Sequence, residues 1–245
     1  MILAVDVGNS NTTVGLFNGT GELLFRALLE TSRSKTRDQC AIELLGVFQL
    51  YGADACTVDG AILSSVVPPL TTIFTDAIAR LTGIPPMVVG PGIRTGLNIK
   101  AEIHNQLGSD IVASSVAAIA KYPSPIVMVD MGTATSLSLI VGSVYEGCII
   151  MPGLALALDA LSERAAALPP ISIETASPVG LMGHTTEEAM RSGVLYGHAS
   201  MVDGMLERIE ESIGQSVTTV ATGGNAPRIL RYCKRPIQYD ADLIM

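Results

Sequence analysis

A chain of 245 residues, 48% of them hydrophobic and with a mean hydropathy of +0.44, has the apolar material for one large domain or two of ordinary size, so a disordered chain is excluded. A net charge of −8, with 15 Lys+Arg and no basic run, excludes a nucleic-acid backbone as partner and leaves a small molecule as the expected ligand. The longest uncharged stretch, 60–75, is broken by Pro68 and Pro69, so no membrane span is expected, and the start in a strand without a signal-peptide pattern points to the cytoplasm. Cys40, Cys56, Cys148 and Cys233 have no metal-site spacing and are expected to be reduced and mostly buried.

Residues 1–17, MILAVDVGNSNTTVGLF, read as a buried strand over 2–5, a reversal at Gly8 and Asn9, and an alternating strand over 12–17. Asp6 sits at the mouth of this hairpin. A carboxylate at a strand end beside glycine can hold hydrated Mg²⁺ while the turn's N–H groups face phosphate oxygens, although Asp-x-Gly-Asn is also ordinary turn chemistry. Half a chain later, residues 126–140, IVMVDMGTATSLSLI, repeat the pattern around Asp130 and Gly132. Two such units predict a duplicated domain with a nucleotide between its halves.

Between the hairpins, a strand is expected over 22–30, a polar loop over 32–38 and a helix over 38–51. A buried strand over 61–67 ends at Pro68-Pro69, which can open the helix expected over 70–81. A short strand over 87–89 precedes GPGIRTG, whose glycine spacing differs from a dinucleotide fingerprint and reads as a loop. A helix rich in small residues is expected over 105–122, with Asp110 near its start either as a cap or first-turn acid or as a general base. The lobe boundary is placed near Ala118, giving lobes of 1–118 and 119–245.

The second half predicts a strand over 145–153 and a helix over 154–167 whose Leu154, Leu158, Leu161 and Ala165 share a face suited to a core or a dimer interface. A helix opening at Thr185-Thr186-Glu187-Glu188 is expected to run to Ile213 with an interruption at Gly197. A strand over 217–220 ends in Thr222-Gly223-Gly224-Asn225, either a strand-to-helix turn or, beside two phosphate loops, an adenosine contact.

The succession DVGNS at Asp6, SSVVP at Ser64, GPGIRTG at Gly90, GSD at Gly108, DMGTATS at Asp130, IIMPG at Ile149, LSERAAALP at Leu161, EAMRSG at Glu188 and TGGNA at Thr222 resembles the type III pantothenate kinases over nearly the whole chain. The resemblance implies an α/β fold of two ribonuclease H-like, actin-like ATPase lobes, with mixed sheets flanked by helices. It implies phosphorylation of pantothenate by ATP, the first step of coenzyme A synthesis, in a homodimer using Mg²⁺ and a monovalent cation, K⁺ or NH₄⁺. By position, Asp6, Val7, Gly8, Asn9, Ser10, Asn11, Thr12 and Thr13 would form the first phosphate loop, and Asp6 would serve the metal. Asp110 would accept the proton, Asp130 would hold the monovalent cation, and Thr133, Gly223 and Gly224 would contact ATP. Gly108, Ser109, Asp110, Ile111 and Thr186 would contact the substrate.

The chain departs from the family pattern where Ile111 stands for Arg, Ala101 for Tyr, His104 for Pro, Cys148 for Gly and His184-Thr185 for Lys-Asn. A P-loop lysine is absent too, so bound cations are expected to neutralise much of the phosphate charge. Besides a working pantothenate kinase, two readings stay open: a paralogue acting on another small alcohol and a non-catalytic ATP-binding regulator. The three carboxylates Asp6, Asp110 and Asp130 favour an enzyme.

Overall fold

The computed structural model describes residues 1–90, 93–100, 107–174 and 179–245. The chain divides into two compact units. The first comprises Met1–Leu97, the opening turns of a helix as far as Ala117, and Ile244–Met245; the second comprises Asn98–Lys100 and Ala118–Leu243.

In the first unit, β1 (Ile2–Val7), β2 (Asn11–Phe17) and β3 (Leu23–Glu30) form an antiparallel meander. β4 (Gly60–Ser65) lies parallel to β1, and β5 (Met87–Val88) parallel to β4, giving the order β3-β2-β1-β4-β5. Alternation along β1 sends Leu3, Val5 and Val7 into one core together with Leu44 and Phe48 of α1 (Arg37–Leu50) and Leu70 and Phe74 of α2 (Pro68–Thr82). Truncating one of these buried leucines to Ala costs about 2–5 kcal/mol. Ile2, Ala4 and Asp6 face the other side of the sheet.

The helix starts follow from local chemistry. Thr36 caps α1 and exchanges hydrogen bonds with Gln39, a capping box that places the start one residue before the expected 38. Pro68 and Pro69 occupy the first turn of α2, where the missing N–H groups have no intrahelical role, and Gly83 ends it at φ 76°. α3 (Ser109–Lys121) begins later than the expected 105: residues 107 and 108 precede the helix, and 105–106 lie outside the described residues. Ala101 and His104 lie outside them as well, as do Pro91 and Gly92 of GPGIRTG.

The second unit repeats the topology. β7 (Ile126–Met131), β8 (Ala134–Val141) and β9 (Val144–Pro152) form the meander, and β10 (Thr218–Thr222) and β11 (Gln238–Tyr239) add in parallel beside β7. A further edge strand, β6 (Asn98–Ile99), pairs with β9, so the order is β11-β10-β7-β8-β9-β6. Val127, Val129 and Met131 pack with Leu154 and Leu158 of α4 (Leu154–Arg164), Leu195 and Val202 of α5 (Thr186–Ile213) and Ile229 of α6 (Ala226–Leu230).

Three expectations are corrected here. α4 ends at Arg164, with Ala165 already extended and Leu161 39% exposed, so only Leu154 and Leu158 of the expected face are buried. α5 runs unbroken through Gly197, because packing of Leu195, Ala199 and Val202 outweighs the roughly 1 kcal/mol cost of a helical glycine. Cys56 and Cys148 are exposed, leaving Cys40 buried and Cys233 half-buried.

Candidate active site

In the first unit the site is built at the C-terminal ends of the parallel strands β1 and β4. Asp6, 9% exposed, lies in register with Ser64 of β4 and Thr13 of β2, so all three side chains share the face opposite the helical core. The Gly8 N–H donates to the Asn11 carbonyl at 3.0 Å and closes the turn, where a Cβ on Gly8 would stand 3.0 Å from that oxygen. Asn9, Ser10 and Asn11 are exposed around this turn. Val7 and Thr12 point the other way: Val7 is in the core, and the Thr12 hydroxyl is 2.8 Å from that of Thr31. Within 6–13, the side chains available to a phosphate are therefore those of the turn and of Asp6 and Thr13, while Val7 and Thr12 shape the hairpin. The return of β3 also brings Arg33 near the turn, with Nη2 3.5 Å from Asn9 Oδ1. No local spacing signals that cation; only the β2–β3 pairing carries it there.

The start of α3 brings in the acceptor-side residues. Gly108 accepts the first helical hydrogen bond, from Val112 N–H at 3.1 Å, which places Asp110 inside the first turn rather than at the cap. Asp110 Oδ1 accepts from Ile111 N–H at 2.7 Å, and a Cβ on Gly108 would stand 2.3 Å from that same oxygen. Burial pushes the Asp110 carboxyl above its ordinary value, against the lowering effect of the backbone N–H bonds. Ser109 Oγ accepts from Ser64 Oγ and from Ser65 N–H, each at 3.0 Å. Ile111, half-buried in the same turn, offers its backbone N–H to Asp110 and no charged group.

In the second unit Asp130 occupies the place that Asp6 has in the first, paired with Ser136 of β8 and Thr222 of β10. Gly132 N–H donates to Ala134 O at 3.0 Å, and Thr133 is exposed at the tip. Three neighbours press on this loop. A Cβ on Gly153 would lie 2.2 Å from Thr133 O; one on Gly223, itself at φ 91°, would lie 2.6 Å from Asp130 Oδ1 and from Met131 C. Asn225 donates its backbone N–H to Met131 O at 3.0 Å and its side-chain N–H to Gly132 O at 3.2 Å. Arg228 Nη1 in turn donates to Asn225 Oδ1 at 3.3 Å. Below the loop, Thr135 Oγ1 and His198 Nε2 lie 2.8 Å apart in the buried interior, and burial lowers the His198 pKa, which favours the neutral ring.

Gly223 therefore packs against Asp130, whereas Gly224 is exposed with open space about its Cα. Thr186 is exposed at the first position of α5, beside the cap made by Thr185 Oγ1 and Glu188 N–H. Gly153 and Asn225 are missing from the residues expected from sequence; IIMPG and TGGNA marked their neighbourhood without their contacts. Among the described residues there is no group of three or more His, Cys, Asp or Glu that could hold a metal ion.

The sequence profile of the type III pantothenate kinase family matches residues 2–208. A protein named type III pantothenate kinase from Exiguobacterium sp. is 38% identical over 246 residues, covering 100% of this chain and 95% of its own. Among solved structures, component A of (R)-2-hydroxyglutaryl-CoA dehydratase from Acidaminococcus fermentans superposes with a TM-score of 0.58 at 12% identity, covering 98% of this chain and 91% of that one. The activator of 2-hydroxyisocaproyl-CoA dehydratase from Clostridium difficile, with bound ADPNP, does so with a TM-score of 0.56 at 11% identity, over 98% and 88%. At these identities the two structures speak to the fold, which is the actin-like ATPase fold. With the profile and the relative both spanning the segments that carry Asp6, Asp110 and Asp130, this chain belongs to the type III pantothenate kinase family.

Proposed function

We propose that the protein transfers the γ-phosphoryl group of ATP to the primary alcohol of pantothenate. The observation that carries this reading is the half-buried Asp110 carboxylate on the same unit as the Asp6 hairpin, in a chain that its family matches over residues 2–208. Phosphoryl transfer asks little covalent work of the protein: the acceptor oxygen bonds to the γ-phosphorus, the bond to the bridging oxygen of ADP breaks, and the alcohol proton must go to a base. Asp110 takes that proton. Its pKa, raised by burial, makes it a better proton acceptor than an ordinary carboxylate. Its Oδ1 is held by Ile111 N–H, so Oδ2 is the oxygen turned to the substrate hydroxyl.

The hairpin turn at 8–11 is the candidate phosphate contact of the first unit, and Thr133, Gly223 and Gly224 are the candidate ATP contacts of the second. Mg²⁺ is commonly held by one or two carboxylates plus substrate phosphates rather than by an all-protein cage, and Asp6, one carboxylate at a strand end, fits that donor set. When bound, it supplies neutralisation of charge on the phosphoryl oxygens. Asp130 is the candidate oxygen ligand for K⁺ or NH₄⁺, and Thr186 for a polar contact with pantothenate. The protein works in the cytoplasm as a homodimer through α4, whose Leu156 and Leu161 are 46% and 39% exposed. A monomer at micromolar concentration by light scattering would end the dimer assignment.

The test of the reaction is ADP release by the purified protein in K⁺ and Mg²⁺, with and without pantothenate. Release that depends on pantothenate is expected; none, or release indifferent to pantothenate, contradicts the reading. Ile111 sets a second expectation. An Arg in this turn would offer a charge-assisted fork to an anionic carboxylate or phosphoryl group, worth about 1.5–3 kcal/mol, or roughly 10- to 150-fold. Ile111→Arg is therefore expected to raise kcat/KM for pantothenate about 10-fold or more. Steady-state kinetics on both proteins checks this, and an unchanged value means that the missing cation was never limiting.

A further inference from the structure

The SSVVP stretch is absorbed by none of the roles above, yet its first residue is 5% exposed, pairs in register with Asp6 and hydrogen-bonds Ser109, the neighbour of Asp110. Ser64 and Ser65 are consecutive on β4, so their side chains leave opposite faces of the sheet. Ser65 Oγ accepts from Thr71 Oγ1 at 3.0 Å, which ties the strand end to α2. Ser64 Oγ donates to Ser109 Oγ at 3.0 Å, which ties the same strand end to α3 on the face that carries Asp6. Ser109 Oγ also receives Ser65 N–H at 3.0 Å. With two donors on its oxygen, that hydroxyl has only its own proton left to give.

Asp110 follows Ser109 directly, and its carboxylate cannot drift on its own. Oδ1 is pinned by Ile111 N–H, and it lies where a side chain on Gly108 would be. The carboxylate therefore moves with the first turn of α3, and that turn is registered on the sheet by the two hydrogen bonds that Ser109 Oγ accepts, of which the one from Ser64 is made by a side chain. Asp6 belongs to the adjacent strand, in register with Ser64. We propose that Ser64 is a positioning residue for phosphoryl transfer, fixing the Asp110 carboxylate relative to Asp6 by holding Ser109. The inference rests on the kinase reading and adds to it a residue that touches neither nucleotide nor acceptor.

The loss expected on removing the hydroxyl is kinetic, because a misplacement of about 1 Å between base and reacting oxygen can cost as much as 100-fold in rate. Ser64→Ala is expected to lower kcat by about 10- to 100-fold with KM for ATP within about twofold of wild type. Ser64→Cys, which keeps the volume and has a weaker donor, should fall between the two. In a Ser109→Ala background, the further loss on adding Ser64→Ala should nearly vanish, since the shared hydrogen bond is already gone. Pantothenate-dependent ADP release by the wild type is measured first, and its absence defeats the kinase reading itself. With that activity present, the proposal is overturned if kcat stays within twofold of wild type in both Ser64 variants, if only the melting temperature falls, or if the Ser64 and Ser109 losses multiply independently.

Discussion

Asp110→Asn is expected to lower kcat by about 100-fold or more while leaving affinity for ATP almost unchanged. The substitution keeps an oxygen for Ile111 N–H and the shape of the side chain, and removes only the capacity to take a proton. Its effect on stability should run the other way. Burial raises the folded-state pKa of Asp110 above the ordinary 3.8, so between the two values the native state binds the proton more tightly than the unfolded chain. Stability therefore falls as pH rises through that window, and the deficit is complete above the folded pKa. Above the folded value the neutral variant escapes this deficit and should melt no lower than wild type; below the unfolded value the advantage disappears. Thermal melts at both ends of the range, run beside steady-state kinetics, check the two halves of the expectation. Unchanged turnover would remove Asp110 from the mechanism, whereas a fall in stability with turnover intact would reduce it to a structural carboxylate.

The second large effect is expected at Gly223. Its φ of 91° is a conformation that costs an L-residue about 1–2 kcal/mol, and a Cβ there would meet Asp130 Oδ1 and Met131 C at 2.6 Å. Backbone cannot yield as a flexible side-chain end can, so overpacking adds about 1–3 kcal/mol. Gly223→Ala should then destabilise the protein by about 2–5 kcal/mol and lower its Tm by roughly 4–20 °C. The displaced Asp130–Thr133 loop should also weaken Mg·ATP binding, which isothermal titration would register. Gly224→Ala is the control. The neighbouring glycine has open space about it and should change stability by no more than about 0.5 kcal/mol. Equal behaviour of the two variants would mean that the Gly223 backbone does not buttress the loop.

The contrast between these glycines marks how far a sequence can be read. Thr222-Gly223-Gly224-Asn225 is legible as a turn after a strand because two adjacent glycines and an asparagine are turn chemistry. Which glycine is constrained depends on Asp130 and Met131, some 90 positions earlier, brought alongside by the parallel pairing of β10 with β7. The same holds for Gly153 against Thr133 O. Helix limits depart from the local pattern where tertiary packing outweighs local preference, as at Gly197, which the core carries through α5. β6 and β11, two residues each, are too short to show a period of two and exist only through their partners.

By itself the sequence determined the two Asp-Gly hairpins, the placement of Asp110 at a helix start and the family, because alternation, turn residues and ordered motifs are local properties of a chain. Only the tertiary structure decided what each carboxylate is set against. Asp6 meets the register of Ser64, Asp110 is half-buried and accepts from Ile111 N–H, and Ser64 reaches Ser109 across 45 positions. Such contacts depend on strand register and on the face a side chain leaves, which hydrophobic pattern constrains only in sum. A hydrogen bond between two serines leaves no periodic trace in the sequence that makes it.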